Sequence, residues 1–186
     1  MRLKKFLFYC TIVPSILIMT GCDKDDPEPP IEEELITTLE YVLSTPNNPD
    51  ITLRFEDLDG DGGNDPVITG GTLQQFTSYE GVITLLNESE TPTENVTEEI
   101  EEEDEEHQLF FQTTIPGINV EYTDEDADGN PIGLTSTLTT SAAGSGTLSI
   151  TLRHEPSKDG AGVSNGDITN AGGETDIEVT FDIEIQ

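Results

Sequence analysis

Asp176-Ile177-Glu178-Val179-Thr180-Phe181-Asp182-Ile183-Glu184-Ile185 alternates a polar side chain with a large apolar one over ten residues. Successive side chains of a strand point to opposite faces. The pattern therefore puts Ile177, Val179, Phe181, Ile183 and Ile185 on one face and Asp176, Glu178, Thr180, Asp182 and Glu184 on the other. A helix would scatter both sets around its circumference. A strand with one apolar and one wet face belongs to an antiparallel sheet; a buried parallel strand would read as a continuous apolar run.

The same rhythm recurs upstream. Leu35, Thr37, Leu39, Tyr41 and Leu43 share one parity, as do Ile51, Leu53 and Phe55, and Tyr79, Gly81, Ile83 and Leu85. Leu109 with Phe111, Ile118 with Val120 and Tyr122, Ile132 with Leu134 and Leu138, and Leu148 with Ile150 and Leu152 complete the set. About eight short strands between Gly, Asn and Asp loops predict an all-β fold, an antiparallel β-sandwich of immunoglobulin- or transthyretin-like kind. One short acidic helix is expected, with Thr91 as N-cap, Pro92 at the first helical position and Glu94 three residues after the cap. Val96 and Ile100 would face the sheet, and the run Glu101 to Glu106 follows them. Gly160 to Gly173 reads as a long loop, the place for mobility or a binding edge.

The N-terminal residues have a different character. Arg2, Lys4 and Lys5 precede an apolar run from Phe6 to about Ile18, then Met19-Thr20-Gly21-Cys22 and an abrupt polar change. A basic head, an apolar middle and small residues before a cut describe an export signal. Met19 to Cys22 resembles the lipobox of bacterial lipoproteins, which implies acylation of Cys22 and a membrane anchorage by lipid. An ordinary soluble signal peptide is the rival. A spanning anchor is the other, but about 14 apolar residues containing Pro14 fall short of the ~20 a spanning helix needs. Cys22-Asp23-Lys24-Asp25-Asp26 resembles the short signal that sends Bacteroidota-type lipoproteins to the outer face of the outer membrane; periplasm-facing attachment is the alternative. The expected organisation is a signal peptide over 1–21, an acidic Pro-rich tether over 22–34 and a sandwich domain over 35–186.

Past residue 21 the chain holds four bases, Lys24, Arg54, Arg153 and Lys158, against all 39 acids, a formal charge of −35. That field repels nucleic acid and anionic membrane surfaces and attracts cations or basic partners. Cys10 would leave with the signal and Cys22 would carry lipid, so no disulfide is expected.

Two histidines carry the sharpest chemistry. His107 shares strand parity with Leu109 and Phe111, and His154 shares it with Leu148, Ile150 and Leu152. Glu103 lies four residues before His107, on the same face if the helix continues. Imidazoles with carboxylates suit zinc or copper. A shared site needs the two strands to be neighbours; otherwise each histidine is a hydrogen-bonded strand-end residue.

Calcium has two candidate loops. Asp57, Asp59, Asp61 and Asp65 stand among glycines, and Asp124, Asp126 and Asp128 precede Gly129-Asn130. Alternate carboxylates around a tight turn are how calcium loops supply oxygen. The twelfth positions are Ile68 and Thr135, where an EF-hand has glutamate, so these loops look more like the Asp-rich turns of extracellular modules. Asp and Gly as plain turn formers are the alternative. No His-Glu-x-x-His pair and no spare cysteine nucleophile are present, so an enzyme is not expected.

Glu98 to Gln108, Leu152-Arg153-His154-Glu155-Pro156 and Gly166 to Asp176 are similar to segments of small acidic Bacteroidota lipoproteins. These commonly bear the label "type 1 periplasmic binding fold superfamily protein". That label implies a two-lobed α/β receptor, whereas the length and strand rhythm here imply a sandwich. The resemblance also implies service beside a TonB-dependent outer-membrane transporter, with nutrient or metal capture as the analogy. The expected function is thus a non-catalytic binding module for a divalent metal or a transporter. The alternative is a calcium-stiffened structural or adhesive surface module.

Overall fold

The computed structural model describes residues 34–46, 48–60 and 63–186. The expected signal segment, Cys22, the tether up to Glu33, and Asp61 lie outside these residues. Among the described residues no helix is long and apolar enough to cross a membrane.

Two sheets enclose one core. The larger contains β1 (Thr38–Ser44), β2 (Ile51–Glu56), β3 (Val67–Thr69), β5 (Ser78–Leu86), β7 (Asn119–Tyr122) and β8 (Thr135–Thr139), in the order β3-β2-β1-β5-β8-β7. All its neighbours pair antiparallel. The smaller contains β4 (Gly71–Leu73), β6 (His107–Thr113), β9 (Gly144–His154) and β10 (Glu174–Ile185), in the order β4-β10-β9-β6. Its pairs are antiparallel except β4 with β10. The all-β, sandwich-like expectation therefore holds, with ten strands in place of about eight. The two extra strands, β3 and β4, have three residues each, too few to display an alternation.

Alternation sorts the residues as elementary strand geometry requires. Leu39, Tyr41, Leu43, Leu53, Ile83 and Leu85 from one sheet meet Leu148, Ile150, Leu152, Val179, Phe181 and Ile183 from the other in a single cluster. Tyr41 keeps its polar tip inside this cluster because its hydroxyl lies 2.8 Å from Ser136 Oγ. Burial pushes the phenol up to about 12, partly offset by the Ser136 hydrogen bond. Gly81 makes that arrangement fit, since a Cβ there would lie 2.5 Å from the Tyr41 hydroxyl oxygen and 2.8 Å from Ser136 Oγ. Gly81→Ala is accordingly expected to destabilise the domain by about 1–3 kcal/mol, the usual cost of overpacking. Urea denaturation checks this, and an unchanged midpoint would contradict it.

One sequence expectation needs correction and another gains detail. The helix, α1 (Val96–Glu102), starts after Asn95 rather than after Thr91. Glu94 is used otherwise, because its backbone exchanges hydrogen bonds with Asn87 at 3.1 Å in both directions. Asn95 then stands at the helix N-terminus and its side-chain amide donates to Glu98 Oε1 at 2.8 Å. Val96 and Ile100 are buried as expected. The segment 160–173, expected as a long loop, carries two 3-10 turns, Val163–Asn165 and Ile168–Asn170. They cover the outer face of β6, where Phe110, Val163 and Ala171 are fully buried with Ile168 packed against them. Gln108 seals the contact by donating its Nε2–H to the Val163 carbonyl at 3.0 Å.

Candidate metal centre

The antiparallel register of β6 and β9 ends with His107 directly opposite His154. Directly opposed residues share a face with Cβ atoms roughly 4.5–5.5 Å apart. Their ring centroids are 4.6 Å apart, edge to face. The sequence supplied the parity of each histidine but not the pairing of their strands.

β10 brings a third group through a bulge. Glu174 pairs with His154 and Thr175 with Arg153, but Ile177 pairs with Leu152, leaving Asp176 as the extra residue. A bulge re-aims the side chain it carries. The Asp176 side chain is 0% exposed, so the strict alternation that put it on the wet face is corrected here. Gly173 makes this close approach feasible: it sits at φ +70°, and a Cβ there would lie 2.2 Å from the His154 carbonyl oxygen.

Glu34, the last residue of the segment expected as a tether, supplies a second carboxylate. Its Oε1 is 3.2 Å from His107 Nε2 and its Oε2 is 3.6 Å from His154 Nδ1. Asp176 Oδ1 is 4.0 Å from His154 Nδ1. One ligand atom from each of Glu34, His107, His154 and Asp176 lies within 4.8 Å of all the others. The four side chains are 8%, 0%, 8% and 0% exposed, so water reaches them little.

Glu103, expected to share the site by its carboxylate, takes another part. It caps the end of α1, and its backbone carbonyl is 3.1 Å from His107 Nδ1. The helix ends at Glu102, so the i, i+4 side-chain geometry is not realised. A carbonyl can only accept, so Nδ1 of His107 carries a proton toward Glu103, while Nε2 faces Glu34. On His154 the other ring nitrogen, Nε2, faces Glu106 Oε2 at 4.0 Å. The surroundings are strongly negative: burial, then repulsion from Glu94, Glu34 and Glu103, pushes the Glu99 carboxyl up.

The two Asp-rich loops use their carboxylates locally. Asp124 accepts from the Gly133 and Thr135 amides, both at 2.8 Å. Asp126 Oδ1 accepts from the amides of Asn130 at 2.8 Å and Asp128 at 3.0 Å, while Oδ2 meets the Lys158 ammonium at 2.8 Å. Burial alone would raise the Asp126 carboxyl; Lys158 and those backbone donors outweigh it and hold the group below the usual carboxylate range. Lys158 thus takes up one oxygen of Asp126, the middle carboxylate of the calcium reading of Asp124, Asp126 and Asp128. In the first loop Asp57 accepts from the Gly60 amide at 2.9 Å, and Asp59 accepts from both the backbone and side-chain amides of Asn64. Hydrogen bonding to Asn64 holds the Asp59 carboxyl low. Among the described residues neither loop gathers three convergent carboxylates, Asp57, Asp59 and Asp65 included.

No family model, curated protein or solved structure matches the chain.

Proposed function

We propose that this protein is a lipid-anchored, non-catalytic envelope module that holds a divalent transition-metal ion, zinc or copper, between Glu34, His107, His154 and Asp176. The observation that carries the proposal is the spacing of the two imidazole nitrogens and two carboxylates at the buried end of β6, β9 and β10. Ligand atoms about 2.0–2.2 Å from a tetrahedral ion stand about 3.3–3.6 Å from one another. The contacts of 3.2 and 3.6 Å, made by the two oxygens of Glu34, and the 4.0 Å approach of Asp176 lie near that spacing; with one atom taken from each residue all pairs fall within 4.8 Å, so closing on an ion draws the ligands inward.

Chemistry agrees with geometry. Two imidazoles favour zinc and copper over calcium or magnesium, and two carboxylates neutralise a doubly charged ion in a site water reaches poorly. The Nδ1–H of His107 on the Glu103 carbonyl is the outer support that metal-bound imidazoles usually have. Four protein ligands leave no open position for a water or substrate, which favours holding an ion over hydrolysis. The lipobox-like Met19-Thr20-Gly21-Cys22 supports the membrane address.

Isothermal titration of the full-length protein with zinc and, separately, with calcium tests this. One zinc per chain is expected, with calcium taken up far more weakly. Zinc affinity no greater than calcium affinity would overturn the reading.

A further inference from the structure

A second group of ligand atoms lies on the solvent side of the same histidine. Glu106, His154 and Glu155 each offer one atom within 4.8 Å of the other two. His154 is nine-tenths buried, and its Nε2 points out of the domain toward Glu106 Oε2 at 4.0 Å, beyond hydrogen-bond length. Its Nδ1 points inward, toward Glu34 and Asp176. One ring therefore looks into two ligand sets, one buried and one exposed.

The exposed set is built by the backbone. Glu155 donates its N–H to the Glu106 carbonyl at 2.6 Å, which clamps the two residues together across the ends of β6 and β9. Glu106 is 57% exposed and Glu155 is exposed too, so an ion held there keeps part of its water. Glu106 also closes the acidic run Glu101-Glu102-Glu103-Asp104-Glu105, mostly exposed, whose charge concentrates cations at this end of the domain.

We infer that Glu106, Glu155 and Nε2 of His154 form a loading site at which a hydrated divalent cation first binds before it passes to the buried ligands. The inference rests on the metal-holding function proposed above and assigns the route by which that site fills. A neutral imidazole has one lone pair, so His154 serves one set at a time. While the ion is outside, Nε2 binds it and the ring proton sits on Nδ1, facing Glu34. When the ion is inside, the Nε2–metal bond has broken and the Nδ1–metal bond has formed. Nδ1 has then given its proton to solvent in the cleft that Glu34 and Asp176 line, and Nε2 has taken one from solvent, so the ring's proton count is unchanged. Both sets together hold one ion.

A loading site lies on the path in both directions. Its removal slows association and dissociation alike and leaves the equilibrium almost untouched, whereas loss of a ligand of the final site weakens the equilibrium chiefly through dissociation.

The test is stopped-flow transfer of zinc between a chromophoric chelator and the full-length protein, wild type against Glu106→Gln/Glu155→Gln. Glutamine keeps the shape and a carbonyl acceptor while removing the charge, and an unchanged melting temperature confirms folding. Both rate constants are expected to fall about tenfold, with Kd nearly constant. Unchanged rates would overturn the inference and direct the ion to the cleft lined by Glu34, Asp57, Asp59, Asp176 and Glu178. A weakened Kd with unchanged association would overturn it too, by making these residues supports of the final site. If wild type takes no zinc from the chelator, both readings fall, with a signature distinct from either rate result.

Discussion

Replacing His107 and His154 together by glutamine lowers zinc affinity by more than the ~10–100-fold that loss of a single outer-shell partner costs, because two direct ligands are removed. Glutamine approximates the volume of the ring, which matters because His107 is fully buried and an alanine would add a cavity penalty to the metal effect. The consequence for folding follows from mass action. Free zinc at one hundred times Kd stabilises a protein that binds only when folded by about 2.7 kcal/mol. For a domain of this size roughly 2–4 °C of melting temperature corresponds to each kcal/mol, so wild type should gain roughly 5–10 °C. The double variant should gain almost nothing. The zinc-induced shift is the quantity to compare, since the variant's metal-free stability also changes. A thermal shift of equal size in both proteins would remove the histidines from the account.

Lys158→Met has the second large effect, and it concerns the fold alone. Lys158 is 7% exposed, and its ammonium joins Asp126, itself 6% exposed, to the Asp104 carbonyl. Taking away one partner of a buried pair leaves the other charge without compensation, which costs about 3–5 kcal/mol. Urea denaturation at pH 7 measures this, and a loss within about 0.5 kcal/mol, as for an ordinary surface substitution, would contradict it.

The pH dependence has a definite sign. Asp126 is held below its ordinary value in the folded protein. Its contribution is therefore fully present above the unfolded value of about 3.9 and is lost as pH falls through the lower folded value. Acidification below about pH 4 should weaken wild type at this position. It should narrow the gap to Lys158→Met, in which the chief group favouring the ionised carboxyl is gone. Lys158→Met/Asp126→Asn should recover part of the loss at pH 7, since no buried charge is then left unpaired.

Much of the fold is legible in the sequence because alternation is a direct consequence of strand geometry. Ile177 to Ile185 bury every second side chain as the pattern requires. The exceptions have local causes. β6 breaks the pattern because both its faces are covered: Leu109 enters the main core while Phe110 packs under the turns at 163–170. Nothing within His107 to Thr113 announces that the outer face has a cover, because the covering residues are more than fifty positions away. The helix start was misread because Thr91 to Glu94 has the composition of a cap, while a tertiary bridge from Asn87 to Glu94 claims the backbone.

The site divides in the same way. The residue types and strand-end positions of His107 and His154 are visible in the sequence, but their adjacency depends on the β6–β9 register, which parity cannot reveal. Asp176 was hidden by a bulge that shifts the register between Thr175 and Ile177. The neighbouring Gly172-Gly173, both at positive φ, was the available signal of irregular backbone there. Glu34 was hidden by its context, one more acid in a Pro-rich acidic segment. Glu103 was chosen by helix spacing, and the helix ended one residue before it.

The central claim is that Glu34, His107, His154 and Asp176 share one ion. Anomalous diffraction at the zinc edge from crystals of the zinc-loaded protein tests it directly. The account predicts a single peak about 2.0–2.2 Å from His107 Nε2, His154 Nδ1 and one oxygen each of Glu34 and Asp176. A peak elsewhere on the acidic surface, with the two rings contacting only the carboxylates, would contradict it.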